Sequence, residues 1–304
     1  MSAVFSTPEI RENHMDSIDG WPLLYKELEL NDDLELSPRE QPEVFIVQSG
    51  TFLHEHGQSL QSMRAGSVIV THPGQTHFVR QPTDVRMVRL RFLPEWMVND
   101  IHMILDSPDL LSLFFSSILF DYPVEHPISV VSLKREPFDY VMADLGVLKD
   151  QLQQEQIDET LTRLTMLKIF LHISEEFGFY WRRRNRIALR SEILHAMRAI
   201  EGGINFSGAV RLSTLEPLMG MSLDHLGRLF KKATGTTLVD YTQRRRVQHA
   251  ARQLLFTDKT ATAIAQDLHF TDSAHFTKSF QRYFGRSPNE YRSHFAFNPA
   301  WLRI

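Results

Sequence analysis

TATAIAQDLHFTDSAHFTKSFQRYFGRSPNEYR, running from Thr260 to Arg292, reads as a short helix, a tight turn, a longer helix and the opening of a third. Phe276, Phe280 and Phe284 recur at helical spacing. Asp272 or Ser273 stands where the longer helix begins, and Gly285 where it ends. Sliding the chain by 50 residues brings the pattern back: His225 aligns with His275, Leu226 with Phe276, Arg228 with Lys278 and Phe230 with Phe280. The match continues with Lys232 on Arg282, Gly235 on Gly285, Asp240 on Glu290 and Tyr241 on Tyr291, each pair keeping its chemical type. The first copy starts at Ser222 and has Leu226, Leu229 and Phe230 as its core face, and in both copies the opposite face is basic and polar. Shorter helical patterns, Thr214 to Met219 and Ala261 to Leu268, precede the two longer ones, with Gly220 in the first turn. Short helix, tight turn and longer helix with a polar outer face is the helix-turn-helix pattern, here present twice.

Between the copies, Leu238 to about Leu255 is one continuous helical pattern. Tyr241, Val247, Ala250, Ala251 and Leu254 can face inward, with Arg244, Arg245, Arg246 and Arg252 among its exposed residues. About eighteen residues at 1.5 Å rise span roughly 27 Å. With the bodies of the two units added, the longer helices approach the ~34 Å between successive major grooves on one face of a duplex. One chain can thus read two adjacent half-sites. The last helix opens with Ser287, Pro288 and Glu290, an N-cap, a first-turn proline and a capping-box acid in order.

Charge divides the chain in the same place. Residues 1–181 hold 13 Lys/Arg against 28 Asp/Glu, a balance of −15, and residues 182–304 hold 20 against 9, a balance of +11. An acidic half followed by a basic half suits a chain of which one part meets a polyanion. The basic run Arg182, Arg183, Arg184 and Arg186 marks the boundary, as a solvated linker or as a phosphate contact. With 304 residues, 42% hydrophobic and 23% charged, the chain is long enough for about two domains. There is no apolar run of spanning length and no secretory signal, so a soluble cytoplasmic protein without membrane contact is expected. The absence of cysteine excludes disulfides, thiolate zinc sites and cysteine nucleophiles.

From Tyr25 to about Phe92 the pattern is strand-like: Val44 to Val47, Val68 to Val70 and Val85 to Phe92 are apolar and separated by Gly50, Gly57, Gly66, Pro73, Gly74 and Pro82. Asp109 to Leu119 and Phe138 to Gly178 follow at helical spacing. Leu145, Leu148, Leu152, Leu161, Leu164, Leu167, Leu171 and Ile173 form apolar stripes in the second, fit either for core packing or for a dimer seam. The fold class expected is α+β: an N-terminal barrel with trailing helices, then an all-α domain with two helix-turn-helix units joined by a linker helix. The expected domains are 1–181 and 190–304.

Residues 190–292 resemble the AraC/XylS family of bacterial regulators. The motifs are MSLDHLGRLFKKATGTTLVDY, RRRVQHAARQLL and the Thr260–Arg292 stretch quoted above. By residue match, the resemblance implies base-facing places for Asp224, Gly227 and Arg228 in the first unit and for Ser273, Ala274 and Lys278 in the second, with His225 and His275 alongside. Arg228 and Lys278 can donate to guanine O6 and N7. Lys232, Arg244, Arg245 and Arg282 are matched to phosphate. Two departures stand out. Glu216 and Pro217 replace a small residue and a helix former, which predicts a bent or weaker first unit. His269 replaces the usual glycine before Phe270.

The resemblance further implies that the N-terminal half is a cupin-like barrel that binds an effector and dimerises. Gly66 to His77 resembles the second cupin motif, and Glu43 with Gly50 the end of the first. A catalytic cupin ion needs about three protein ligands, and Ser37 to Glu40 stand where a His-x-His pair would precede Glu43. His54, Glu55 and His56 come only after Gly50, so no metal, cofactor or enzymatic activity is expected. Glu43, Phe45, His54, His77 and Arg91 are the candidate effector contacts, for a sugar or another small metabolite. The expected partners are promoter DNA, a small-molecule effector, a second copy of the chain, and RNA polymerase if the protein is an activator. A cupin-type enzyme fused to a DNA-binding module and a nonspecific nucleic-acid binder are the rival readings.

Overall fold

A computed structural model describes residues 22–37, 39–97, 101–120, 128–184, 191–208 and 210–295. The basic run from Arg182 to Arg186 lies outside the described side chains. The described residues form seven antiparallel strands, six before the first helix and one after a run of short helices: β1 (Leu23–Leu30), β2 (Leu34–Leu36), β3 (Glu43–His56), β4 (Ser59–Arg64), β5 (Ser67–Thr71), β6 (His77–Phe92) and β7 (Ser129–Ser132). Their order is β1-β6-β3-β5-β7, with β2 paired to β6 and β4 to β3. This order has two ends, β1 and β7, so pairing among the described residues does not close the sheet into a ring.

Both faces of the sheet are buried, which is why its central strands read as unbroken apolar runs rather than as alternation. Val44, Ile46, Val68, Val70, Val88 and Leu90 pack against helices. Phe45, Val47, Ile69, Val85 and Met87 form the inner face with Leu36, Phe52 and Met63. The long strand β3 serves both ends of the sheet because it bends at Gly50. Its first part pairs with β5 and its last part with β4, and its register against β6 shifts between Val47 and Leu53. Gly50 has φ +79°, and a Cβ there would lie 2.4 Å from the carbonyl oxygen of Asp84.

Four short helices follow β6: α1 (Pro94–Met97), α2 (Ile101–Asp106), α3 (Pro108–Leu110) and α4 (Ser116–Leu119), with a π-helical turn at Leu111–Phe115 before the last. They bury Trp96, Phe114 and Phe115 against the sheet and against α6 (Glu159–Arg184), where Phe114 stacks on Phe170 with ring centres 4.0 Å apart. Helix α5 (Arg135–Leu152) packs along α6 through Leu145, Leu148, Leu167 and Ile173, while Leu161 and Leu164 face solvent. The remaining helices are α7 (Ser191–Ser207), α8 (Leu215–Met219), α9 (Leu223–Thr234), α10 (Leu238–Phe256), α11 (Ala261–Asp267), α12 (Ser273–Phe284) and α13 (Pro288–His294). One apolar core runs from Val44 on the sheet through Phe170 to Tyr241, Phe276 and Tyr291, so the strand-rich and helical parts pack as neighbours. No described helix is long and apolar enough to cross a membrane.

The close approach at Gly50 gives a test. Gly50→Ala forces an L residue into left-handed backbone and drives a methyl into a main-chain carbonyl. It is expected to lower unfolding free energy by about 2 kcal/mol or more, measured by urea denaturation.

Candidate nucleic-acid interface

Each helix-turn-helix unit is fixed at its ends by local chemistry. Ser222 caps α9 and Asp272 caps α12 by accepting the backbone N–H of His225 (3.3 Å) and His275 (2.7 Å). Gly235 and Gly285 close the two helices in left-handed conformation. Leu226 and Phe230 in α9, and Phe276 and Phe280 in α12, are buried on the core face, with Leu229 and Phe284 half-buried. The capping box at Ser287 and Glu290 starts α13.

The outward faces carry the base-facing candidates. Asp224, His225 and Arg228 are exposed on α9 with Gly227 half-buried between them, and Ser273, Ala274, His275 and Lys278 are exposed on α12. Arg228 lies 3.4 Å from Asp224 one turn back, both well exposed, so the guanidinium is free to swing toward a duplex. Both histidines stand on the outer faces, His275 with its ring 5.7 Å from Phe270.

Both sequence departures fall where the backbone accommodates them locally. Pro217 falls in the first turn of α8, behind a 3₁₀ turn at Leu212–Thr214, where its missing N–H has no helical acceptor to lose. The predicted bend is therefore absent, and Glu216 accepts the Leu223 backbone N–H at 2.7 Å, tying the turn to α9. His269 adopts φ +54°, the left-handed backbone that a glycine would take without strain.

The arginines of α10 divide into two groups, and here the sequence reading needs correction. Arg245 cannot meet phosphate: it is 0% exposed and donates through Nε (2.5 Å) and Nη2 (3.1 Å) to Glu201 of α7. Its Nη1 reaches Gln248, and Tyr241 and His249 also contact Glu201. Burial alone pushes the Glu201 carboxyl up, yet the Arg245 guanidinium beside it holds it down at about 2. Arg246, predicted as exposed, is half-buried and donates to the carbonyls of Leu268 (2.6 Å) and His269 (2.8 Å), bracing the turn of the second unit. Arg292, which the sequence reading did not single out, donates to the carbonyls of Leu254, Thr257 and Lys259 and so caps the end of α10. Arg244 remains on the half-exposed flank, its guanidinium 5.4 Å from the Tyr283 ring centre, and Lys232 and Arg282 are exposed.

The N-terminal candidates meet on the inner face of the sheet. Glu43 accepts from Arg89 (2.8 Å) and Arg91 (2.7 Å), and His54 Nε2 lies 2.9 Å from His77 Nδ1, with Phe45 edge-on to His77. Burial pushes His54 down to about 4 and His77 down to about 3, so both are neutral near pH 7. Among the described residues no group of three His, Asp or Glu side chains is placed to hold a metal ion.

Polar contacts tie α10 and the second unit to the N-terminal part. Arg286 makes a bidentate pair with Glu40, both contacts at 2.9 Å, and Gln248 donates to the Ile118 carbonyl at 3.2 Å. Tyr291 of α13 hydrogen-bonds the buried carboxyl of Glu95 on α1, which burial pushes up to about 7.

A family described as helix-turn-helix domain matches residues 218–294. The lactose operon transcription activator of Staphylococcus xylosus is 28% identical over 110 residues, covering 36% of this chain and 39% of that protein. The HTH-type transcriptional activator RhaS of Yersinia pestis is 38% identical over 89 residues, 29% of this chain and 33% of that protein. The matches thus span well under half the length of these relatives. Among solved structures, ToxT from Vibrio cholerae aligns over 90% of this chain and 99% of its own at 10% identity and TM-score 0.41. A regulator with an AraC-type DNA-binding domain from Chromobacterium violaceum aligns over 34% and 92% at 26% identity and TM-score 0.33.

Two measurements check these assignments. Arg245→Met leaves Glu201 as a buried charge without its cation, contacted only by Tyr241 and His249, and is expected to cost about 3 to 5 kcal/mol of stability, whereas Arg244→Ala leaves stability within about 0.5 kcal/mol. Chemical denaturation of the two variants separates them. Glu95, with its folded pKa raised from 4.5 to about 7, contributes stability that is full below its unfolded value and lost as pH rises through 7. Wild type should lose stability between about pH 5 and 8 relative to Glu95→Gln, read as a difference between their melting temperatures across that range.

Proposed function

We propose, from the premise that residues 218–294 belong to the AraC-type helix-turn-helix domains, that the chain is a sequence-specific DNA-binding regulator of transcription reading two adjacent major-groove half-sites. The observation that carries this reading is the pair of capped helices α9 and α12, each with a buried apolar face and an exposed polar one, separated by the 19-residue helix α10. At 1.5 Å per residue α10 is roughly 28 Å long, a spacing suited to two readings on one side of a duplex. Arg228 and Lys278 are assigned to guanine edges. Lys232, Arg244 and Arg282 are assigned to phosphate, which fixes register without reading sequence.

The strand-rich half, residues 1–181, is read as a sensor and dimerisation domain in a cytoplasmic protein, and residues 190–304 as the DNA-binding domain. Glu43 is engaged by two arginines rather than held open for a metal, which supports regulation over catalysis. Tyr140 and Val147 on α5, with Leu161 and Leu164 on α6, are exposed apolar positions that favour a second copy of the chain. An effector, a sugar or another small metabolite, acts by stabilising one placement of the paired DNA-binding domains over another. The relatives are named as activators, which favours activation through contact with RNA polymerase.

Binding of the purified protein to its own upstream DNA, against scrambled DNA at fixed salt, tests the reading. Wild type is expected to prefer its own sequence, and Lys278→Ala to lose about 1 to 3 kcal/mol of that preference. Equal affinity for both duplexes, with only a salt slope, would instead identify a nonspecific phosphate binder.

A further inference from the structure

Several acids near the two reading helices have a structural task. Asp272 accepts the His275 backbone N–H, and Glu216 accepts that of Leu223. Glu290 accepts the Ser287 N–H, Asp240 accepts from the Thr237 hydroxyl, and Asp267 pairs with Lys259. Asp224 does none of these things. It stands in the first turn of α9 behind the cap that Ser222 provides, and its side chain is 82% exposed. Its carboxylate meets the Nη2 of Arg228, one turn further on, at 3.4 Å.

Folding of the unit does not account for this acid. The 50-residue repeat sets Ala274 at the matching place in the second unit. Helix α12 has no acid in its first turn, yet it is capped at both ends in the same way as α9. An exposed carboxylate on a face that meets a polyanion repels phosphate and lowers affinity for every duplex. Such a repulsive element is useful where it separates the right partner from wrong ones. The geometry shows how. An arginine fork donates in several directions, so an Nη2 turned toward Asp224 leaves donors for the O6 and N7 acceptors of a guanine. In water the exposed pair is worth little. Between two phosphate backbones the carboxylate disfavours every placement of the guanidinium except the one that faces away from them. Lys278 has only Ala274 at the corresponding place, one turn back on α12.

We infer that Asp224 is a positioning residue for the first half-site: it confines the Arg228 guanidinium to a guanine edge and denies it the neighbouring phosphates, lowering affinity for DNA in general. This deepens the regulator reading and rests on it. The two units then differ in task, the first discriminating sharply and the second holding more tolerantly.

Equilibrium binding of the full chain to its own upstream DNA, to scrambled DNA and to single-base-pair variants of the upstream DNA, at several salt concentrations, tests the inference. Wild type should prefer its upstream DNA, and Arg228→Ala should lose discrimination at one guanine. Asp224→Ala and Asp224→Asn should each lower discrimination at that same base pair by about fivefold or more. Both should bind scrambled DNA roughly threefold more tightly, with a salt dependence steeper by about one phosphate contact. With Arg228→Ala already present, Asp224→Ala should change discrimination no further. Ala274→Asp should weaken binding to scrambled DNA. A wild type without sequence preference overturns the regulator reading and this inference with it. With that preference present, the inference alone is overturned if Arg228→Ala loses discrimination nowhere, if either Asp224 variant keeps wild-type discrimination at the Arg228 base pair, or if the loss persists in the Arg228→Ala background. It is also overturned if removing the Asp224 charge leaves affinity for scrambled DNA unchanged or lowers it.

Discussion

The ion pair between Arg245 and Glu201 holds the helical half in its shape. Both groups are wholly removed from water, and taking a carboxylate and a guanidinium out of solvent costs several kcal/mol each unless geometry and further hydrogen bonds offset it. Here Gln248, Tyr241 and His249 complete the shell. The pair joins α7, which leads into the first unit, to α10, which leads out of it. Leu226 and Phe230 of α9 and Leu215 of α8 are buried in the core that this clasp closes. A purely apolar contact would tolerate sliding of α7 along α10; a forked donor on a two-oxygen acceptor permits one register.

Legibility in the sequence followed how local each determinant was. Caps, turns and core faces of the two units depend on residues within one or two turns of each other, so Ser222, Gly235, Gly285 and the Ser287–Glu290 box could be read directly, and the cap of α12 was narrowed to Asp272 or Ser273. The linker helix was legible to within one residue of its end. Arg245 was not: four arginines on one helix look equivalent until Glu201, 44 residues away, is known to face one of them. Arg292 likewise gains its role from carbonyls at the far end of α10. The backbone effect of Pro217 depends on where the helix starts, and a 3₁₀ turn ahead of α8 moves that start.

In the strand-rich half the apolar runs located β3, β5 and β6, but not how they close up. That depends on a bend at Gly50 and on pairing between residues dozens of positions apart, such as Glu43 with Arg91. The same ladder places Glu43 and two arginines together on the inner face, so what looked like part of an effector set also serves as an internal ion cluster. Long-range strand register carries little local signature, and a one-residue slip would turn each of these side chains to the other face.

Helix α10 is capped at its start by Thr237 and held at its end by Arg292, with no slack at either terminus. Insertion or loss of a single residue would turn the second reading helix about 100° around the first and shift it by 1.5 Å, and would also break the Glu201 clasp or the Arg292 cap. On the proposed function, the distance and angular phase between the two half-sites are thereby frozen into a backbone length, while the bases within each half-site depend on a few exposed side chains. Over evolutionary time such a protein can change the letters that it reads far more easily than the gap between them.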